Sequence, residues 1–526
     1  MPTTPTPIPV RRRLSVSVRP LARRWSTIPF RTPAAVACAA LAFTIAWPAA
    51  AEDDIAAGPS ERERPNFVLV LADDQGYGDM GYTGHPHVIT PNFDAMAVNA
   101  LRFDRFHAAA PVCSPTRGSL LTGRNPNRFG CHSWGHTLRP GEITFAMVLR
   151  DAGYHTGHFG KWHIGSVLPE GGANPGQFGF DRWISAPNFY ENNPTLSDQG
   201  TATAYEGESS LLTMELALEW IEGLIADADN GQPAPFVAVV WFGSPHTPWI
   251  AAEEFLQPYL DPDLGLSPQQ AHFLGEVTGM DAAMGLLNER LEQLGLLDNT
   301  VVWYTSDNGA LPNVGSAGPY RGKKGSIWQG GLRVPALLQW PAVIREGAVI
   351  DLPATTNDFY PTLLDLAGVE PPESQPELDG LSLAPWILDP SQPAERARGL
   401  GFWQIPSQGV RTPSEQMMTA LLEAGNDVEA LDDNLQFMHL RPDVGQVDRS
   451  RPAAFRRGHA AWIDGPWKLH RIVDGDDERW QLFHLEQDPG ETEDLGVDHP
   501  ERVEAMRRDL EAWQAAVIHD LNHPRD

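Results

Sequence analysis

The sequence predicts an α/β protein with a large, doubly wound, mostly parallel sheet flanked by helices, followed by a smaller C-terminal antiparallel sheet with a closing helix. Three observations carry this prediction. Residues 66–71, 236–242 and 300–305 are almost continuously apolar, the pattern of strands covered on both faces. Segments of helical spacing, 143–151 and 271–296, lie between them, so helices alternate with buried strands. Past residue 455 the rhythm changes. There 460–470 reads as a hairpin on the Asp464-Gly465 turn, 480–485 as a further strand and 500–518 as an amphipathic helix.

Taken in order, residues 1–51 hold seven Arg, no acid and an apolar run from Ala34 to Trp47, and they end in Ala49-Ala50-Ala51. This is the pattern of a secretory signal, with a membrane anchor as the alternative and Arg11-Arg12-Arg13 as a weak hint of twin-arginine export. Removing that leader from a formal −29 leaves −36, a balance that argues against nucleic acid and anionic membranes. An anionic substrate would need cations gathered locally. The expected address is secreted or periplasmic, with no stable membrane insertion after cleavage. A polar linker spans 52–64, a catalytic α/β domain 65–390, and a C-terminal subdomain 391–526. Within that subdomain 404–456 is a polar stretch, either a surface insertion or a wall of the substrate pocket.

In doubly wound sheets, ligands bind beyond the carboxyl ends of the strands. Asp73 and Asp74 follow the first run, Lys161 and His163 a strand at 154–159, His246 the second run, and Asp307 and Asn308 the third. One such residue in a loop is ordinarily just solvated. Several strand ends that each offer an oxygen ligand, a cation or an imidazole point to a site. Adjacent carboxylates at Asp73 and Asp74 repel each other unless something positive, such as calcium or magnesium, lies between them.

The chemistry centres on residues 111–124, Pro-Val-Cys-Ser-Pro-Thr-Arg-Gly-Ser-Leu-Leu-Thr-Gly-Arg. Pro115 suits the first turn of a helix, which places Cys113 at the positive helix end and Arg117 one turn further on the same face. Such a place suits an anion with tetrahedral oxygens. Read without that context, Cys113 is equally a buried small hydrophobe or half of a disulfide with Cys131.

Cys113-Ser114-Pro115-Thr116-Arg117 with Leu121-Thr122-Gly123-Arg124 resembles the Cys-x-Pro-x-Arg signature of the type I sulfatases of the alkaline-phosphatase-like superfamily. In that family the Cys becomes formylglycine. Residues 321–335 resemble the family's Gly-Lys-x-x-x-x-Glu-Gly-Gly segment, with Gln329 where Glu is usual. The spacing makes Lys324 the catalytic Lys, with Lys323 the rival.

The resemblance implies one calcium ion held by Asp73, Asp74, Asp307, Asn308 and residue 113, with Arg117, Lys161, His163, His246 and Lys324 around the sulfate and the reacting hydroxyls. Asn188 lies where relatives complete this set, but no motif marks it. A thiolate attacking sulfur would leave an adduct that is hard to break. An aldehyde hydrate instead carries two hydroxyls on one carbon, one to take the sulfuryl group and one to release it.

The expected activity is hydrolysis of sulfate monoesters. The partners implied are a sulfated glycan or small molecule and a formylglycine-generating enzyme. The alternatives are a small-molecule aryl sulfatase, a phosphomonoester or phosphonate hydrolase, and a glycan-binding protein with unmodified Cys113. Trp134, Trp162, Trp183 and Trp249 lie near the motif loops, where they can stack on sugar rings or simply pack in the core.

Overall fold

The computed structural model describes residues 64–170, 172–228, 234–431 and 449–524. The leader and nearly all of the 52–64 linker lie outside the described residues, as does 432–448 of the polar stretch. Among the described residues no helix is long and apolar enough to cross a membrane.

Ten strands form the large sheet in the order β11 (Ala348–Ile350), β2 (Leu101–Phe103), β10 (Ala336–Gln339), β9 (Thr300–Ser306), β1 (Asn66–Ala72), β8 (Phe236–Trp241), β4 (His155–Lys161), β5 (Arg182–Ala186), β6 (Thr195–Asp198) and β7 (Thr201–Ala204). The central five, β9-β1-β8-β4-β5, are parallel. Beyond them β10, β6 and β7 run antiparallel to their neighbours, so the sheet is parallel at its centre and mixed at its edges. The apolar stretch 334–340, which reads as a strand in the sequence, supplies one of those antiparallel strands, β10. A two-stranded pairing of β3 (Phe106–His107) with β12 (Ala354–Thr355) lies beside the sheet.

Side-chain alternation divides the core in two. Phe67, Leu69, Leu71, Val237, Val239, Val301 and Trp303 face one side and meet Leu120 and Leu121 of helix α2 (Cys113–Thr122), Phe145 and Leu149 of α3 (Phe145–Asp151), and the helix Phe359–Ala367. Val68, Val70, Ala238, Val240, Val302 and Tyr304 face the other. There they meet Phe93 and Met96 of α1 (Pro91–Asn99), α4 (Ser209–Asp227) and the helix Pro268–Gln293. Burial on both faces is why these strands carry no polar alternation. The helix at 268–293 starts three residues earlier than its apolar spacing suggests, because Ser267 and Gln270 form a capping box there.

The small sheet runs β13 (Leu400–Gln404), β14 (Gly458–Asp464), β15 (Trp467–Asp474) and β16 (Asp477–His484), all antiparallel. One face packs on Met506, Leu510, Val517 and Ile518 of the closing helix Pro500–Asn522. The other places Leu400, Phe402, Ala461 and Ile463 against Ile327 and Leu332, so it supports the loop that carries Lys324.

Gly160, one residue before Lys161, shows how closely the strands approach. Its φ is +98° and a Cβ there would lie 2.0 Å from the Trp241 carbonyl oxygen. Gly160→Ala is expected to cost about 2 kcal/mol or more, read as a lowered denaturation midpoint of the purified protein. An unchanged midpoint would show that β4 and β8 can separate.

Candidate active site

Three buried carboxylates meet at the strand ends. Asp73 and Asp74 follow β1, and Asp307 follows β9, its amide donating to the Ala72 carbonyl at 3.2 Å. Asp74 takes a φ of +77°, a left-handed conformation that stores strain where a side chain must be aimed. Its amide donates to Asp307 Oδ1 at 3.0 Å and its Oδ1 accepts from Asn308 Nδ2 at 2.9 Å. All four residues are fully buried.

Three cations balance them. Arg117 donates to Asp307 Oδ2 through Nε at 3.1 Å and Nη2 at 2.7 Å, and to the Lys161 carbonyl through Nη1 at 3.1 Å. Lys161 Nζ lies 2.6 Å from Asp73 Oδ2, and Lys324 Nζ 2.6 Å from Asp74 Oδ2. Lys323 points elsewhere, donating to the Leu311 and Gly315 carbonyls, so of the two lysines it is Lys324 that reaches the cluster. Burial raises both Asp73 and Asp74, but the outcomes differ. Asp73 is pushed up to about 7, with Asp307 and Asp74 adding to burial and Lys161 opposing it. At Asp74, Lys324, His246 and Lys161 outweigh burial and hold the carboxyl well below the usual range.

Cys113 is the first residue of α2, whose N-cap, Val112, supplies no side-chain hydrogen bond. Its sulfur lies within 4.8 Å of ligand oxygens of both Asp73 and Asp307, and 3.8 Å from Lys324 Nζ. Neither Cys113 nor Cys131 is in a disulfide, which removes the disulfide alternative. Burial pushes the Cys113 thiol up, against Lys161 and Lys324.

The two histidines flank this centre differently. His163 has a φ of +56° and its carbonyl accepts from Ser114 Oγ at 2.6 Å, so it is tied to the residue after Cys113. His246 stacks on Phe189 with centroids 4.2 Å apart, and its Nε2 lies 3.5 Å from Asp74 Oδ2. Burial, with Lys324 and Lys161, pushes its pKa down to about 3 against the pull of Asp74. The ring is therefore neutral at pH 7, and Nδ1 lies 2.6 Å from the Thr247 carbonyl.

The family model described as Sulfatase matches residues 65–369, more than half of the chain and the part that contains every residue of this centre. The chain belongs to the sulfatase family. It is 36% identical over 369 residues to arylsulfatase A of Homo sapiens, covering 64% of this chain and 70% of that protein. It is 33% identical over 367 residues to N-acetylgalactosamine-6-sulfatase of Mus musculus, covering 62% and 66%. The fold matches that of Ps i-CgsB in complex with k-i-k-neocarrahexaose, with a TM-score of 0.69 at 24% identity over 86% of this chain and 93% of that one. Arylsulfatase A and N-acetylgalactosamine-6-sulfatase are sulfuric ester hydrolases, and so is this protein.

The centre fits the hard cation that a sulfatase site suggests. Asp73 Oδ1, 3.5 Å from Arg117 Nη2, and Asn308 Oδ1 are buried and accept no hydrogen bond, which is costly for a buried oxygen acceptor. Three carboxyl groups against three side-chain cations leave the cluster close to neutral, with little positive charge for an anionic ester. A divalent ion on the oxygens of Asp73, Asp74, Asp307 and Asn308 would satisfy both deficits.

Gln329, the departure from the family pattern, does not enter this centre. Its Oε1 lies 3.0 Å from His107 Nε2 and its backbone N–H donates to Glu491 Oε2 at 2.6 Å. Glu491 is itself buried between Lys468 at 3.0 Å and His470 at 2.6 Å, so a C-terminal ion network anchors the segment that follows Lys324.

No motif marks Phe189 or Asn188 as parts of this neighbourhood, and the Cys113–Arg117 motif, though it contains Ser114, assigns that residue no role there. Asn188 Nδ2 donates to the Thr412 carbonyl at 3.1 Å, and its buried Oδ1 has no hydrogen bond. Of the four Trp residues near the motif loops, Trp162 and Trp183 are core residues.

Proposed function

We propose that this sulfatase hydrolyses sulfate monoesters of carbohydrates through a formylglycine hydrate at position 113, with calcium held by Asp73, Asp74, Asp307, Asn308 and residue 113. The observation that carries the reading is the approach of Cys113 to two carboxylates at the positive end of α2, beside buried oxygens of Asp73 and Asn308 that accept no hydrogen bond.

The ion would supply Lewis acidity toward a sulfuryl oxygen and lower the pKa of the hydroxyl at residue 113. Arg117, locked on Asp307, offers a fixed positive field to sulfuryl oxygens without reorganising. Lys161 stands behind Asp73. Lys324 Nζ, 3.8 Å from the residue 113 side chain, can hold a proton for the departing oxygen, while the neutral His246 can accept a hydrogen bond there and His163 assists release of sulfate from residue 113. A formylglycine-generating enzyme is the required partner, and export to a secreted or periplasmic location is expected. The catalytic residues fall in 65–390, with 391–526 as supporting subdomain. Carbohydrate is favoured because one curated relative is an N-acetylgalactosamine-6-sulfatase and a structural relative was solved with a neocarrahexaose.

The test compares para-nitrophenyl sulfate with para-nitrophenyl phosphate before and after removal of divalent ions by a chelator. Turnover should strongly favour the sulfate, fall to background after chelation and return with calcium. Preference for the phosphate, or full activity in the chelated protein, would overturn the reading.

A further inference from the structure

We infer that Trp134 is a stacking platform for a pyranose ring in the alcohol part of the substrate, and that residues 404–412 form a strap that seats it. This rests on the sulfate-ester hydrolysis proposed above and names a site for the part of the substrate beyond the sulfate.

The strap leaves the end of β13 and reaches the helix Ser414–Glu423. On the way it touches three loops that carry the centre. Gln404 Nε2 donates to the Gly325 carbonyl at 2.9 Å, next to Lys324. The Gln408 carbonyl lies 2.9 Å from His136 Nε2, and the Val410 amide donates to the Trp134 carbonyl at 2.9 Å. The Thr412 carbonyl accepts from Asn188, the neighbour of the Phe189 ring that covers His246. Of the two readings of this stretch, an ordinary insertion or a pocket wall, these contacts fit the wall.

The backbone at Trp134 and Gly135 ties the strap to the residue after the nucleophile. The amide of Gly135 donates to Ser114 Oγ at 2.8 Å, and Ser114 follows Cys113. The indole rests on Gly409, where a Cβ would come within 2.1 Å of the ring. Only glycine permits that contact. Backbone covers one side of the ring, yet Trp134 remains 42% exposed, an arrangement that costs hydrophobic free energy unless a ligand covers it. Trp249, by contrast, is half-buried and donates Nε1 to the Pro245 carbonyl.

A pyranose matches such a platform. Its C–H face is apolar and flat enough to stack on indole, while its hydroxyls need polar partners at the edge. The exposed side chains of Ser407, Gln408 and Arg411 lie on the same strap. The chemistry thus favours a hydroxylated ring over an unsubstituted aryl group.

The experiment uses the mature, metal-loaded enzyme and a panel of monosulfated methyl glycosides, with inorganic sulfate as a competing probe that occupies only the anion pocket. Trp134→Ala is expected to raise KM about tenfold on the preferred glycoside, with kcat within about twofold and inhibition by sulfate unchanged. Trp134→Phe should recover most of the loss. Gly409→Ala should reproduce it by displacing the ring. An unchanged KM in Trp134→Ala, or weakened inhibition by sulfate, would overturn the platform while leaving the sulfatase reading intact. Wild-type protein that releases sulfate from para-nitrophenyl sulfate but from no glycoside would overturn the platform and the carbohydrate preference, leaving sulfate-ester hydrolysis itself intact. Release from neither would remove the hydrolysis on which it rests.

Discussion

Cys113→Ala is expected to reduce sulfate release by about ten-thousandfold or more, because it removes the group that becomes the nucleophile, and no neighbouring side chain can take its place. Lys161 and Lys324 are committed to Asp73 and Asp74, and Ser114 Oγ is spent between the His163 carbonyl and the Gly135 amide. The fold should hardly notice. Residue 113 is the first of α2, alanine is a good helix former there, and only one sulfur atom is lost. Stability is expected to stay within about 1 kcal/mol of wild type. Activity on para-nitrophenyl sulfate and a thermal melt, measured together, separate the two effects. Substantial residual turnover in a well-folded Cys113→Ala protein would mean that another group attacks sulfur.

Arg117 should behave in the opposite way, with fold and activity failing together. The side chain is fully buried and holds Asp307 through two nitrogens, the Lys161 carbonyl through a third, and lies 5.1 Å from the Trp241 ring. Arg117→Ala leaves the fully buried Asp307 and Asp73 short of a counter-charge, and a cavity beside them. Breaking one side of a buried pair typically costs about 3–5 kcal/mol. A fall of that size in unfolding free energy is expected, with turnover at background. Arg117→Lys keeps the charge but not the fork. It should restore much of the stability, yet leave kcat about a hundredfold down, since a single ammonium cannot hold Asp307 and face a sulfuryl oxygen at once. Full kcat in Arg117→Lys would show that charge alone suffices at this position.

How much of this was readable from the chain follows from where each signal arises. The runs at 66–71, 236–242 and 300–305 announce themselves because both faces of those strands are covered, and their ends deliver Asp73, Asp74, His246, Asp307 and Asn308 to one place. The outer strands β2, β6, β7 and β11 are three or four residues long, too short for a period of two to register, and β10 is legible as an apolar run whose direction no local signal gives, so the antiparallel borders were not foreseeable. Lys324 could be separated from Lys323 only by spacing to Gly330 and Gly331, and it is Lys324 that pairs with Asp74. The long-range ties had no local signal at all. Asn188 meets Thr412 across 224 residues and Gln329 meets Glu491 across 162. Trp residues illustrate the same limit: Trp162 and Trp134 stand in similar company in the sequence, and only packing distinguishes a core ring from an exposed one.

The most direct measurement is the mass of the tryptic peptide spanning residues 106–117, taken from protein produced beside a competent formylglycine-generating enzyme. The peptide should be lighter than its thiol form by one sulfur and two hydrogens and heavier by one oxygen, the signature of an aldehyde at position 113. An intact thiol in protein that nonetheless hydrolyses sulfate esters would contradict the account.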